Sequence, residues 1–567
     1  MLSILAATLE VLIIVLLGVI IARFLGIYMA KVFSSRPTVL DNVLTPIERA
    51  IYRLLGINPS HEMKWKEYAI SLILLNAAAI IFVFVLLSVQ NGLPLNALGV
   101  PNMRWDLATH AAISFDTNTD YQHYTPEAQA SLFSALFGLE TMMFLSAATG
   151  IAVVVAFIRG FIRRNGTIGN FYVDVVKAVT RVLLPISIVG AVILALASVP
   201  QTFAQSVWIH PLSAFGGGPP QQIALGPVAS WDSIEFLGTN GGGYFGANAG
   251  HPFQNPTALT NIIAILLMMA IPFGTPFMFS QMTRREGDGR ALFVTIVVIF
   301  LVGLFLFIAF ESSNPFINGI GVDQSGGYLS GAETRFNLPE SALFQVTSIY
   351  DNVGATSMSL GAITPGAQLA LLWGMFLQCA PGGVGTGFGT LLVSTILAIF
   401  VGGLMVGRTP EYLGKKIGRD QMRWAAITIL SHPFAILIPL AIAFAFGFAQ
   451  FSAGSGPFAF TTVLYEFTSE SANNGSGMAP INDSTMFFNL IGAVIMLVGR
   501  YLPIIAMLAI GGSLAAEDNL PPGPGTLKTD SPTFTVYLII FITVVTGLLF
   551  LPVLVMGPFL QGPLGGL

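Results

Sequence analysis

Long apolar runs alternate along the chain with polar loops of two kinds, one rich in basic residues and one almost free of them. A helix needs about 20 mostly apolar residues to cross ~30 Å of hydrocarbon. Runs of that kind lie at 2–22, 68–89, 135–158, 182–199, 257–280, 291–310, 424–447, 485–515 and 534–556. A further stretch, 367–407, is too long for one crossing. Its middle, Pro381-Gly382-Gly383-Val384-Gly385-Thr386-Gly387, breaks helices, so it reads as one span interrupted by a loop. The pattern predicts ten spans and an all-α polytopic membrane protein.

Composition narrows the class. Of 567 residues, 54% are hydrophobic and 9% charged, against about 25% charged in soluble domains. A soluble enzyme and a disordered chain are both excluded. A net charge of −4 offers no nucleic-acid footprint, and the single cysteine, Cys379, excludes a disulfide framework or a cysteine-based metal site. The first run has no basic residue before Arg23 and is long, so it is expected to remain as a span rather than be cleaved as a signal peptide. Of 24 basic residues, only Arg104 and Arg335 fall in loops 90–134, 200–256, 311–366 and 448–484, and Arg500 falls inside a span. This asymmetry predicts that these loops and the N-terminus face outward, with the basic loops in the cytoplasm.

Each outer loop holds a short semi-apolar stretch, then small polar residues, then the next span. The stretches are 104–113, 229–237, 337–346 and 458–467. Ten helical residues cover only ~15 Å, which suits a re-entrant half-helix. The polar cores are Ser114–Asp120, Gly238–Gly243, Thr347–Gly354 and Thr468–Ser476. Taking Thr117, Thr239, Thr347 and Thr468 as markers gives steps of 122, 108 and 121 residues, a sign of internal repeats. The repeats are placed at 67–165, 176–282, 290–410 (with the broken span) and 421–516, with additional spans at 1–26 and 532–567. One Thr-Asn-Gly-Gly-Gly cluster alone would read as a surface turn; four in register do not. Span, half-helix, polar loop and span, repeated four times, resembles the plan of a potassium-channel tetramer. Gly and Asn reach backbone conformations that aim successive carbonyls at one axis, where they replace a cation's hydration shell. Half-helix C-termini add partial negative charge.

At these residues the sequence resembles the potassium-binding subunit family of the Kdp potassium-uptake ATPase. The resemblance rests on Leu404-Met405-Val406-Gly407-Arg408-Thr409-Pro410-Glu411-Tyr412-Leu413-Gly414-Lys415-Lys416-Ile417 and on Leu237 to Asn261, through Gly238-Thr239-Asn240-Gly241-Gly242-Gly243 and His251-Pro252-Phe253. Trp65-Lys66-Glu67-Tyr68, Leu145-Ser146-Ala147-Ala148 and Gly499-Arg500 add to it. It implies a potassium filter built from Thr117, Asn118, Thr119, Asp120, Thr239, Asn240, Gly241, Asn352, Val353, Gly354, Asn473, Asn474 and Gly475, supported by Gln122 and Asn248. It also implies delivery through an intersubunit tunnel to a P-type ATPase catalytic subunit in a bacterial inner membrane. A small periplasmic-facing subunit and a single-span peptide complete the complex. Potassium is the transported ligand, and no other cofactor is expected. Asp120 stands where the family usually has asparagine, the third loop departs in spacing, and Asp116, Asp351 and Glu470 are additional acids. These acids either raise cation affinity at the cost of selectivity or face surrounding protein or the outer vestibule, the second being the expectation.

Arg500, near mid-depth, is read as a fixed positive charge below the filter that blocks straight passage; a snorkelling or structurally paired arginine is the alternative. Glu10 and Glu140 lie nearer the outer ends of their spans and suit polar packing. His251 reads as structural, and His110 and His123 as braces of the first filter loop. No Walker A or Asp-Lys-Thr-Gly motif is present, so ATP hydrolysis must come from a partner. The basic segment Arg408–Arg423, with Arg408, Lys415 and Lys416, either meets anionic lipid or docks that partner. The alternative function is a stand-alone potassium transporter of the Trk/Ktr type.

Overall fold

The computed structural model describes residues 2–211, 218–312, 331–405, 407, 409–518 and 527–562, with side chains from residue 9 onward. Ten helical segments are long and apolar enough to cross a membrane: Leu9–Phe33, Trp65–Ser88, Ser134–Ile162, Phe171–Leu196, Ala258–Thr283, Glu286–Glu311, Thr386–Met405, Arg419–Ala445, Met486–Ala515 and Pro532–Phe559. The expected ten spans are present. The broken span resolves into Pro365–Leu377 and Thr386–Met405, joined by residues 378–385.

Two expectations need adjustment. Residues 257–280 do not form one rod: helix Ala258–Ala270 gives way to a turn and then to Thr275–Thr283. Pro272 and Gly274 open that turn, and it lets the first span approach closely. A Cβ on Gly26 would sit 2.0 Å from the Gly274 carbonyl oxygen, so no side chain larger than hydrogen fits there. The fourth span also starts earlier than 182. It begins at Phe171, where the Asn170 side chain accepts from the Val173 amide as an N-cap.

Burial sorts the spans into inner and outer layers. The spans following each short helix are 83%, 78%, 67% and 67% buried, whereas those preceding them are 33%, 39%, 50% and 50% buried. The first and last spans, at 33% and 28%, belong to the outer layer too. Met486–Ala515 packs on both Arg419–Ala445 and Ser134–Ile162 and holds much of the interior together. Exposed Leu, Ile, Val and Phe line the outer spans, as hydrocarbon solvent requires.

Candidate functional site

The four short stretches are helices: Trp105–Asp116, Val228–Leu237, Leu338–Tyr350 and Pro457–Ala472. The third starts at a capping box formed by Asn337 and Glu340. All four end in the same way. The residue that leaves the helix is left-handed: Asn118 (φ 60°), Thr239 (49°), Asn352 (52°) and Asn473 (54°). The next amide then bonds back to the carbonyl five residues earlier. These bonds are Thr119 N to Ser114 O (2.9 Å), Asn240 N to Glu235 O (2.8 Å), Val353 N to Ser348 O (2.7 Å) and Asn474 N to Ser469 O (2.9 Å). This is the Schellman end. Asn tolerates the left-handed region, whereas β-branched Thr239 is strained there. The Val384 amide donates to Thr239 Oγ1 at 2.9 Å, so the loop in the broken span holds that residue in place.

These bonds set the register among the four loops, and it differs from the expected one. Thr347 and Thr468 lie within helices, while Thr239 is itself the turning residue. The equivalent positions are Asn118, Thr239, Asn352 and Asn473, and a threonine marker missed them because only one of the four is threonine. The residue four positions earlier, Ser114, Glu235, Ser348 or Ser469, was a signal the sequence carried. The Ser114 hydroxyl donates to Tyr121 O (2.9 Å), and the Ser348 hydroxyl to Ala355 O (2.6 Å). Ser469 Oγ accepts from Gly475 N at 3.1 Å.

The turns converge. A Cβ on Gly241 would lie 2.5 Å from Thr119 O and 2.7 Å from Asn474 O. One on Gly354 would lie 1.9 Å from Asn474 O, and one on Gly475 would lie 2.1 Å from Thr119 O. Glycine is required wherever the backbones approach so closely. Side-chain amides tie neighbouring loops together. Asn118 Nδ2 donates to Thr239 O (2.6 Å) and Gly238 O (3.2 Å), while Asn240 Nδ2 donates to Asn118 Oδ1 (3.1 Å). Asn473 Nδ2 donates to Thr119 Oγ1 (2.9 Å), and Asn474 Nδ2 to Ile349 O (3.1 Å). Asn248 Oδ1 accepts from Thr356 N at 3.3 Å, joining the second loop to the third. The ring of contacts is closed. Asn118, Asn240, Asn473 and Asn474 act as clamps through their side chains. Gln122 and Asn248 line a cavity of about 230 Å³ above the turns, together with Gly242, Gly354, Gly475 and Asp483. Thr117, Asn118, Thr119, Asp120, Thr239, Asn240, Asn352, Val353, Asn473 and Asn474 are all buried.

Two of the additional acids turn into the protein. Asp116 Oδ2 accepts from the Tyr501 hydroxyl, and Glu470 Oε1 faces His110 Nε2 at 3.3 Å. Asp351 is buried, with both carboxylate oxygens unpartnered among the described residues. Arg500, 3% exposed, donates to Ser146 O (2.9 Å) and Thr386 Oγ1 (3.4 Å). Both hydrogen-bond partners are neutral, and the carboxyls of Asp116 and Asp120 lie within electrostatic reach of the guanidinium. His251 stacks on Phe245 (3.9 Å between ring centres), and its Nδ1 accepts from Phe253 N (3.1 Å). Burial, with Arg335 beyond it, lowers its pKa, so it stays neutral.

One expectation fails on geometry. Lys415 is not a free cation: its ammonium is buried and donates to Arg163 O (2.9 Å) and Glu517 O (2.5 Å). The tight hairpin Glu411–Tyr412/Lys415–Lys416 aims Lys415 inward and leaves Lys416 exposed. Arg408 lies outside the described residues.

Comparison with known proteins agrees with this architecture. Residues 11–562 match the family described as Potassium-transporting ATPase A subunit, KdpA. A Nostoc sp. protein named potassium-transporting ATPase potassium-binding subunit is 41% identical over 547 residues, covering 96% of each chain. A Geobacillus kaustophilus protein of the same name is 41% identical over 545 residues, again covering 96% of each. In fold, the chain is similar to the potassium transporter TrkH from Vibrio parahaemolyticus, with a TM-score of 0.50 at 18% identity, covering 86% of this chain and 97% of that one. Extending over nearly the whole length and joined to four capped half-helices meeting at one centre, these matches show that the chain belongs to the KdpA family of potassium-transporting ATPase A subunits.

Proposed function

We propose that the chain is the potassium-binding and selectivity subunit of an ATP-driven importer in a bacterial inner membrane, with its N-terminus outside. K⁺ enters from the cavity lined by Gln122 and Asn248 and loses water to backbone carbonyls of the four turns. It then passes through an intramembrane tunnel to a P-type catalytic subunit that hydrolyses ATP. A small periplasmic-facing subunit and a single-span peptide complete the assembly, in contact with lipid.

The observation that carries this reading is the closed ring of turns. Amide side chains hold neighbouring loops together, so the carbonyl oxygens of Thr119 and Asn474 come against the backbones of Gly241, Gly354 and Gly475 with no side chain between them. Carbonyl rings of this kind replace the hydration shell of a monovalent cation, and four helix C-termini add partial negative charge. Arg500 and the 378–385 loop lie beneath, where a fixed positive charge repels the ion from a straight path and favours lateral transfer. The relatives' names point to the same role.

The fold shared with a potassium transporter keeps a second reading in view, a stand-alone Trk/Ktr-type transporter. Purifying the chain with its co-purifying partners and measuring ATPase activity against K⁺ separates the two. Activity that rises with K⁺ supports the subunit reading. K⁺ flux through proteoliposomes holding this chain alone, with no ATPase partner, supports the second.

A further inference from the structure

Between the first and fourth half-helices lies a buried cluster that potassium coordination leaves unused. His110 (on Trp105–Asp116) and His123 (just past the first turn) stack with ring centres 3.8 Å apart. Glu466 and Glu470 project from Pro457–Ala472, one helical turn apart, and all four side chains are fully or almost fully buried. Asp483, with its side chain 21% exposed, faces His123 from the following loop. Three acids thus share the cluster with two histidines, and among the described residues no lysine or arginine bonds to any of them. Two atoms are orphaned, Glu470 Oε2 and His110 Nδ1. A buried unsatisfied carboxylate oxygen is costly.

From this arrangement we infer that His110, His123 and Glu470 form a binding site for a Zn²⁺-like divalent cation, with Glu466 beside it against His123. The ligand atoms of His110, His123 and Glu470 lie within 4.8 Å of one another. Glu470 Oε1 is 3.3 Å from His110 Nε2 and 3.9 Å from His123 Nε2, and the latter is 2.9 Å from Glu466 Oε1. Tetrahedral Zn²⁺ with bonds of about 2.0–2.1 Å separates its ligands by about 3.3 Å, so Glu470 Oε1 already stands at that distance from His110 Nε2 and needs to approach His123 Nε2 by about 0.6 Å, while the stacked rings tilt to aim both nitrogens at one point. Mixed imidazole and carboxylate ligands suit Zn²⁺ better than K⁺, Mg²⁺ or Ca²⁺.

The surroundings prepare the site. His123 Nδ1 meets Asn489 Oδ1 at 2.8 Å, and the Asn489 amide donates in turn to Asp106 Oδ2 at 2.9 Å. That chain orients Asn489 as acceptor, fixes the proton on His123 Nδ1 and presents Nε2 to the cluster, the arrangement that metal-binding histidines use. Without the cation, a proton takes its place: His123 Nε2–H donates to Glu466, which also accepts from the Tyr121 hydroxyl. Metal binding displaces that proton and compensates the acids. Asp483 lines the cavity above the turns and stands 4.0 Å from His123 Nε2, so entry runs past it. Because the Asn473 backbone amide bonds to Glu470 O at 3.2 Å and its side-chain amide to Thr119 Oγ1 at 2.9 Å, occupancy would couple the first turn to the fourth.

The test uses the full chain in detergent, stripped with a chelator and then exposed to ZnCl₂ alone. Elemental analysis after gel filtration is expected to find one Zn²⁺ per chain, and X-ray absorption at the zinc edge to report two imidazole ligands. His110→Asn and Glu470→Gln should each weaken binding at least about tenfold. Retention of far less than one equivalent by the unaltered chain, a zinc spectrum without imidazole, or variants that bind equally well would overturn the inference. If a variant fails to fold, the spectrum of the unaltered chain decides alone. Zinc retention involves neither K⁺ nor ATP, so failure here leaves the transport reading untouched.

Discussion

Gly241→Ala is the sharpest probe of the converging turns. The added methyl would sit 2.5 Å from Thr119 O, 2.7 Å from Asn474 O and 2.9 Å from Gly475 Cα. All three are backbone atoms, and the first two belong to turns locked by Schellman bonds of 2.9 Å. No rotamer change relieves the clash, so the first and fourth turns must move outward by about half an ångström or more. Overpacking of this kind costs about 1–3 kcal/mol. In the proposed filter K⁺ requires the carbonyls at their original spacing, so that cost falls on the bound state. At 1.4 kcal/mol per tenfold, K⁺ affinity should drop by about 5- to 150-fold. The assay is K⁺-stimulated ATPase of the purified complex, reading half-saturating K⁺ rather than maximal rate. Gly92→Ala is the control, since nothing lies within 4 Å of that position. A half-saturating concentration equal to that of the control would refute the argument that these carbonyls hold the ion.

Four further outcomes follow from the same geometry. Arg500→Gln should leave assembly intact and uncouple K⁺ movement from ATP hydrolysis, seen as K⁺ leak in proteoliposomes without ATP; tight vesicles with normal coupling would remove the barrier role. Asn118→Gly keeps the left-handed turn but loses bonds of 2.6 and 3.2 Å to the second loop, so K⁺ affinity should fall severalfold, at about 0.5–1.5 kcal/mol per lost bond. Lys415→Met removes donors to Arg163 O and Glu517 O and should lower the thermal midpoint in detergent, whereas exposed Lys416→Ala should not. Finally, hydrogen bonds from the Thr38 hydroxyl and amide, with the Arg181 guanidinium behind them, lower the Asp41 carboxyl to about 2. Its folded value lies below the ordinary one, so its stabilisation is complete above about pH 4 and is lost as pH falls toward 2. The thermal-midpoint gap between wild type and Asp41→Asn should therefore narrow over that range, and a constant gap would contradict the assignment.

Much of the site was legible before the fold was known, but unevenly. The polar cores stood out because small polar residues between two spans have no place in hydrocarbon unless they line something wet or buried. Arg500 stood out for the same reason. The register of the loops did not. It depends on which residue turns left-handed, and Asn118, Thr239, Asn352 and Asn473 share that conformation without sharing identity. Nor could the asparagines be read as side-chain clamps, because their partners lie in other loops. Lys415 looked like a surface cation in a basic segment. Only the two-residue turn between Glu411–Tyr412 and Lys415–Lys416 decides which lysine points inward.

The chain by itself determined its solvent, its ten crossings and the places where crossing fails. Those follow from the cost of moving each residue from water to hydrocarbon, a property counted along a local window. Tertiary structure decided which carbonyls converge, which glycines admit no methyl and what Arg500 touches. Those depend on backbones more than a hundred residues apart coming so close that no methyl fits between them, as at Thr119, Gly241 and Asn474. A local hydrophobic pattern carries no record of such distances, because they are set by packing among all the inner spans at once.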